Sequence, residues 1–351
     1  MRVLVDDRPA ATCATGIGRY ARSLTDLGAL GDHAVTAAST LGLAFTSPTE
    51  EELELPSALE RAGVDLLHSP MCALPALLPC RAVVTVHDAI PATRPDLTSE
   101  AFKPVWARAR EDAVRADAVV CPTAHARGEV VRALGLDPVR VHVVPEAPSP
   151  VFAPRSPDAV AAALRAHGVT APYLLAVGSL ERRKNPDGAL DALDALARLA
   201  PARRPLLLFA GPAAGFDLAV EAARRGVGDR VRHLGVVPDE ALAALYTGAL
   251  AVLACSRAEG FGLPVVEAWA CGAPVIAANA TAQPEVAGDA ALLVDPEDTA
   301  ALAEAIRRVS EDPALRDDLR RRGHERLAAR FTPAAVRAAL TRLYDHLEAT
   351  A

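Results

Sequence analysis

Two short stretches hold most of the side chains able to do chemistry, and each follows an apolar, strand-like run. The first is GSLERRKN, 178 to 185, directly after YLLAV. In a parallel α/β sheet the loop at a strand's carboxyl end faces the ligand crevice, so Arg182, Arg183 and Lys184 are delivered to where an anion binds. A solvated basic turn is the plain alternative. Lysine usage weighs against it, because of 37 basic residues only Lys103 and Lys184 are lysine and the rest are arginine. A lysine kept here points to a need for a compact ammonium, a good point charge for a diphosphate.

The second stretch is Glu259-Gly260-Phe261-Gly262-Leu263-Pro264-Val265-Val266-Glu267, after LAVLAC. Gly260 and Gly262 permit a backbone that turns its amides toward a ligand, and Pro264 suits the first position of a helix running to about Cys271. An anionic diphosphate at that N-terminus gains from the free amides and the helix dipole together. Glu259, before the helix, can reach a sugar hydroxyl; Glu267, a turn inside it, can accept hydrogen bonds from ribose hydroxyls. A glutamate near a helix start is commonplace. One on a segment as apolar as LPVVEAWAC needs a partner.

The elements holding these loops follow from an alternation of short apolar runs with amphipathic helical stretches, which predicts an α/β fold of parallel sheets covered on both faces. In the first half the strands are expected at 2 to 6, 64 to 68, 82 to 87, 117 to 121 and 139 to 144. PEAPSPVFAPRSPD then brings five prolines that fit neither sheet and reads as a linker. Strands resume at 173 to 178, 205 to 211, 231 to 235, 250 to 255, 274 to 278 and 290 to 294. At 351 residues the chain exceeds what one core supports, so two doubly wound, Rossmann-like domains are expected, 1–150 and 151–332. Asp312-Pro313 and Thr332-Pro333 each suit a helix start, and the last helix, about 333–351, is expected to pack back on the first domain.

Composition excludes several classes. A net charge of −7 with no basic block argues against nucleic acid. MRVLVDD enters a strand at once without the zones of a secretory signal, which reads as cytoplasmic, and no apolar run is long enough to span a bilayer. The cysteines Cys13, Cys72, Cys80, Cys121, Cys255 and Cys271 have no C-x-x-C spacing and read as small buried residues rather than metal ligands. From Phe102 to Ala113, Phe102, Val105, Trp106, Ala109 and Ala113 share a helical face that could dock on anionic lipid. Glu100, Glu111, Asp112 and Asp117 cancel the basic charge, so packing on the protein's own sheet is favoured.

GSLERRKN, EGFGLPVVEAWACGAPVIAAN and QPEVAGDAALLVDPED resemble the donor domain of the retaining GT-B glycosyltransferases of family four, whose glutamates are spaced as Glu259 and Glu267 are. In the first half VDDRPAATCATGIGRY, TVHDAIPATRPD and CPTAHARGEV are similar to the acceptor-side half of the same group. The resemblance implies a nucleotide-diphosphate sugar bound between two Rossmann-like domains facing a central cleft, no metal, and transfer to an acceptor hydroxyl with retention. It implies that Arg183 and Lys184 neutralise the leaving diphosphate, that Glu259 and the backbone of Gly260, Phe261, Gly262 and Leu263 hold sugar and phosphate, and that Glu267 binds ribose. Gly235 is placed near the nucleobase. Many relatives carry an arginine where this chain has Ser179; Arg183 is taken as its substitute, with Arg182 competing.

Gly16-Ile17-Gly18-Arg19-Tyr20-Ala21 satisfies a dinucleotide fingerprint, but it begins about nine residues after the first strand rather than at its end. Gly16 and Gly18 read instead as a loop approaching the donor phosphate or the acceptor, which leaves a nicotinamide oxidoreductase as a minor alternative. His87 and Asp88 end the strand AVVTVH; the resemblance turns His87 toward the transferred sugar, as a hydrogen-bonding group. Asp7 and Asp88 are acceptor-binding candidates. A metal-holding Asp6-Asp7 pair is the weaker reading, since the diphosphate already has protein cations. GDP-mannose is the first donor expected and a deoxy or amino sugar in specialised metabolite assembly the second. A nucleotide-sugar epimerase or hydrolase, and a non-catalytic partner subunit, are the other possibilities on this architecture.

Overall fold

Runs of β-branched and aliphatic residues bounded by Gly, Pro, Asp and Asn build two six-stranded sheets, parallel throughout, in a computed structural model that describes residues 1–12, 16–42, 48–169, 172–200 and 205–350. The chain divides into two units, Met1–Ala147 with Thr332–Ala351, and Pro148–Phe331.

In the first unit β1 (Arg2–Val5), β2 (Ala34–Ala37), β3 (Leu66–Ser69), β4 (Arg81–Thr85), β5 (Ala118–Cys121) and β6 (Val141–Val143) lie in the order β2-β1-β3-β4-β5-β6. The inner strands are covered on both faces and therefore read as continuous apolar runs. Val84 and Val119 pack with Ala113, Ala126 and Val130 on one side. Val83 and Val120 pack with Tyr20, Leu24, Leu340 and Leu343 on the other. The helix Pro333–Ala349 thus supplies part of this unit's core. Strand β2 was not expected from sequence: it is short, built of small residues and half exposed at the sheet edge, so no apolar run announces it. Phe102 ends a separate 3-10 turn, and only from Lys103 does the helix run to Arg115. Ala109 and Ala113 are buried while Phe102 and Val105 stay exposed, so the expected single apolar face is split.

In the second unit β7 (Tyr173–Val177), β8 (Leu206–Ala210), β9 (Val231–Gly235), β10 (Ala251–Ala254), β11 (Val275–Ala278) and β12 (Leu292–Val294) lie in the order β12-β11-β10-β7-β8-β9. β7 pairs with β8 on one side and β10 on the other, so the order reverses across it. Loops leaving β7 and β10 emerge side by side at this switch point, where open α/β sheets bind ligands. Asp312 and Thr332 cap the last two helices by accepting from Leu315 N (3.0 Å) and Ala335 N (3.1 Å).

Gly211, just after β8, has φ 147° and donates its N–H to Gly235 O at 2.8 Å. A Cβ here would sit 2.1 Å from Gly178 O, so the two loops approach each other only because no side chain intervenes. Gly211→Ala is expected to lower stability by about 1–3 kcal/mol, as overpacking does. A native urea midpoint in this variant would refute that account.

Among the described residues no helix is long and apolar enough to cross a membrane. Cys72, Cys80, Cys121, Cys255 and Cys271 are free thiols, and Cys13 lies outside the described residues.

Candidate active site

The loop after β7 is shaped by a 3-10 turn, Arg182–Lys184, and by Asn185 in the left-handed region at φ 59°. Asn185 is fully buried and does two jobs. Its Oδ1 accepts from Gly188 N at 3.1 Å, capping the helix Pro186–Leu199, and its Nδ2 donates to Pro296 O at 2.7 Å. Lys184 leaves this turn with its aliphatic stem over Gly178, where a Cβ would lie 3.0 Å from Cε.

Lys184 Nζ donates to Glu259 Oε1 at 2.5 Å and Arg183 Nη1 to Glu259 Oε2 at 3.0 Å, so both cations converge on a carboxylate 75 and 76 residues away. Arg183 Nη2 also donates to Glu181 Oε1 (2.7 Å), which accepts from Ser179 Oγ (2.8 Å). Arg182, by contrast, is exposed. Of the two competing arginines, Arg183 is the one beside Lys184.

The side chain of Glu259 is 11% exposed, and its main-chain N–H donates to Thr281 Oγ1 at 3.0 Å. Burial opposes its ionisation. The charges of Lys184 and Arg183, with hydrogen bonds from Lys184 and Ser256, more than offset that and hold the carboxyl down to about 2. Gly262, at φ 100°, starts the helix Leu263–Ala270 with no side chain capping it. A small pocket open to solvent is lined by residues that include Gly178, Lys184, Ser256, Glu259, Gly262 and Gln283. Lys184, a helix N-terminus and a carboxylate on one wall, with Arg183 behind that carboxylate, suit an anion joined to a hydroxylated group.

Other sequence candidates in this unit lie elsewhere. Gly260 and Phe261 are buried, and the Phe261 ring packs edge-on against Phe331 at 5.5 Å, so only backbone remains to serve a ligand there. Leu263, half-buried, opens the helix. Glu267 is 1% exposed, accepts a hydrogen bond from Tyr246 Oη at 2.8 Å, and is not on the pocket wall. Gly235 ends the edge strand β9 at φ 68°, also away from that wall.

In the first unit Gly16 and Gly18 do not form the expected loop. They open the helix Gly16–Asp26, with Gly18 buried. Asp6 is held by Arg8 through Nε–Oδ1 (2.6 Å) and Nη2–Oδ2 (2.7 Å), and Asp7 accepts from Ser39 N at 2.8 Å and Ser39 Oγ at 2.5 Å. The two carboxylates are committed to different partners, which separates the pair. Asp88 Oδ1 accepts from Ile90 N at 3.0 Å.

His87 lies just past β4 with Nδ1 3.0 Å from Glu146 Oε1 and Nε2 3.0 Å from Pro70 O. A carbonyl and an ionised carboxylate both accept, so this arrangement favours the imidazolium, which donates from both ring nitrogens. Burial lowers the pKa, yet the hydrogen bond and charge of Glu146, with Pro70 O and Asp88, raise it above 6.5 overall. Such a pair stabilises fully below about 6.5 and is lost as pH rises through the raised native value. NMR of the ring nitrogens is expected to show a titration midpoint above 6.5 in the native chain, and Glu146→Gln to lower it. A midpoint unmoved by that substitution would contradict the pairing.

Sequence reasoning missed Ser256, Arg257, Thr281, Gln283, Tyr246 and Glu146. Ser256 and Thr281 follow β10 and β11, so the strand-end rule that singled out Lys184 reaches them too. Gln283 accepts from Ala278 N at 2.7 Å while lining the pocket, and no spacing signals that.

Residues 163–326 match the glycosyl transferases group 1 family and residues 44–147 match glycosyltransferase family 4. The O-antigen chain mannosyltransferase B of Escherichia coli is 33% identical over 261 residues, covering 74% of this chain and 68% of that protein. The D-inositol 3-phosphate glycosyltransferase 1 of Catenulispora acidiphila is 37% identical over 218 residues, 58% of this chain and 51% of that protein, so the match spans about half of the latter. In three dimensions Anabaena Alr3699/HepE in complex with UDP-glucose has a TM-score of 0.76 at 19% identity, covering 99% of this chain and 100% of that one. Sucrose-phosphate synthase from Thermosynechococcus elongatus has a TM-score of 0.74 at 22% identity, with 99% of both chains covered. At such identities these structures speak to the fold alone. By its family matches, its mannosyltransferase relative and its fold, the chain belongs to the group 1 glycosyltransferases of GT-B architecture.

Proposed function

We propose that this glycosyltransferase moves a sugar, with mannose the first candidate, from a nucleoside-diphosphate donor to an acceptor hydroxyl, retaining the anomeric configuration and using no metal. The observation that carries this reading is the convergence of Lys184 and Arg183 on Glu259 beside the N-terminus of Leu263–Ala270. Breaking the anomeric bond leaves negative charge on the diphosphate and positive charge on the ring. Cations and amides gathered at the leaving group lower that barrier. Glu259, next to them, is placed to accept from a sugar hydroxyl.

The departing phosphate oxygen takes the acceptor's proton, so no side-chain nucleophile is required, and attack on the face from which the diphosphate leaves gives retention. A metal-free site is favoured because protein cations stand where a divalent ion would serve, while Asp6 and Asp7 are engaged by Arg8 and Ser39. The Escherichia coli mannosyltransferase relative favours mannose, and the fold neighbour holding UDP-glucose favours a nucleotide-sugar donor.

Incubation with GDP-mannose and a panel of other nucleoside-diphosphate sugars, with acceptor alcohols and EDTA present, tests each part. Retention predicts a product anomer matching the donor's by proton NMR. An inverted anomer would overturn the stereochemistry, and loss of activity with EDTA would overturn metal independence. Conversion of the sugar in donor alone would replace transfer by epimerisation.

A further inference from the structure

Arg257 stands two residues before Glu259 in the loop after β10, and its side chain is only 13% exposed. Its main-chain N–H donates to Arg183 O at 2.8 Å and its Nη1 to Arg182 O at 2.8 Å. The same guanidinium spans Asp187, with Nη1–Oδ1 and Nη2–Oδ2 both 2.9 Å, and its Nε donates to Glu297 Oε1 at 2.6 Å. One residue therefore ties together the loop after β7, the first turn of Pro186–Leu199, the loop after β10 and the segment after β12. Asn185 Nδ2 on Pro296 O braces the same junction.

The turn Arg182–Lys184 is three residues long, closed only by Lys184 N–H on Glu181 O (3.0 Å) and Asn185 N–H on Arg182 O (3.1 Å) among the backbone bonds at its ends. Its backbone direction decides where Lys184 and Arg183 point. The two carbonyls that Arg257 holds belong to the residues immediately before Lys184. Arg257 does not offer its own charge to a ligand, since Asp187 and Glu297 face it. Its planar fork meets a carboxylate and a carbonyl at once, which a lysine cannot reproduce.

We infer that Arg257 is a positioning residue for the diphosphate grip, its guanidinium acting through the Arg182 carbonyl and Asp187 to aim Lys184 and Arg183 at the leaving group. The inference rests on the function proposed above. It assigns Arg257 no contact with substrate.

Binding of UDP and GDP by calorimetry, and of uridine and guanosine by NMR titration, provides the test. Arg257→Ala is expected to weaken the diphosphate that the native chain binds by at least about tenfold while leaving the parent nucleoside's affinity unchanged. Arg257→Lys is expected to restore little of the loss. A merely structural role would weaken nucleoside and diphosphate alike, and that result overturns the inference, as does native diphosphate affinity in Arg257→Ala. If Arg257→Ala does not fold, Asp187→Asn decides by loosening the fork: a selective loss of diphosphate affinity of about threefold supports the inference and no change overturns it. A native chain that binds neither UDP nor GDP would overturn the proposed function and this inference together. Native binding with an indifferent Arg257 overturns the inference alone.

Discussion

Replacing Lys184 by alanine is expected to cut donor turnover about a hundred- to a thousandfold, the range found when one preorganised charge-stabilising donor is removed from a reaction centre. Negative charge grows on the leaving oxygen during transfer, and Lys184, which lines the pocket, is one of two cations held within hydrogen-bonding reach of Glu259. Truncation leaves Arg183 still paired with Glu259 and Glu181, so the carboxylates keep a partner and the fold should persist. Circular dichroism and melting of the variant check this, and a rate within about threefold of native in a folded variant would remove Lys184 from the mechanism. Glu267→Ala is a less clean probe. Tyr246 Oη donates to that buried carboxylate, and stranding a buried hydroxyl costs about 1–3 kcal/mol, mixing stability with function.

Glu259→Ala is expected to act in the opposite sense on binding and the same sense on rate. Glu259 pairs with both cations that a diphosphate needs, so it competes with a donor for them. Without the carboxylate, nucleoside diphosphate should bind as tightly as in the native chain or more tightly, while sugar transfer falls by about a hundredfold through loss of a sugar-hydroxyl partner. Weakened diphosphate binding in the variant would contradict this competition.

The same ion cluster has an acid signature. The Glu259 pKa is depressed from 4.5 to about 2, so its contribution to stability is present above about 4.5 and is lost as pH falls toward 2. Glu259→Gln should therefore be less stable than the native chain at neutral pH, and the difference should shrink across that acid window. Parallel urea midpoints at both ends of it would show that the ion cluster does not stabilise the fold.

The fold was largely legible because buried parallel strands read as uninterrupted apolar runs. YLLAV, LLLFA and AVLA became β7, β8 and β10. The lapses share a cause, which is that edges and faces are set by neighbours. Ala34–Ala37 is a strand because it pairs with β1, not because AVTA is strongly apolar. Gly16 and Gly18 carry a loop-like pattern, yet they open a helix whose Tyr20 and Leu24 bury against the first sheet. Phe261 sits between two glycines of the phosphate-like loop but turns into the core against Phe331.

By itself the sequence determined which residue types stand at the strand ends: the rare lysine at 184 beside Arg183, the glycines around Phe261, and the two glutamates framing a helix start. These are local properties, carried by propensity, period and spacing. Only the tertiary structure decided that Lys184 and Arg183 close on Glu259 rather than on solvent, that Asp6 and Asp7 part company to Arg8 and Ser39, and that Arg257 grips the turn from across the switch point. The pairings of Lys184, Arg183 and Arg257 depend on the register of strands far apart in sequence. A charge in one loop learns its partner only when β7 and β10 lie side by side.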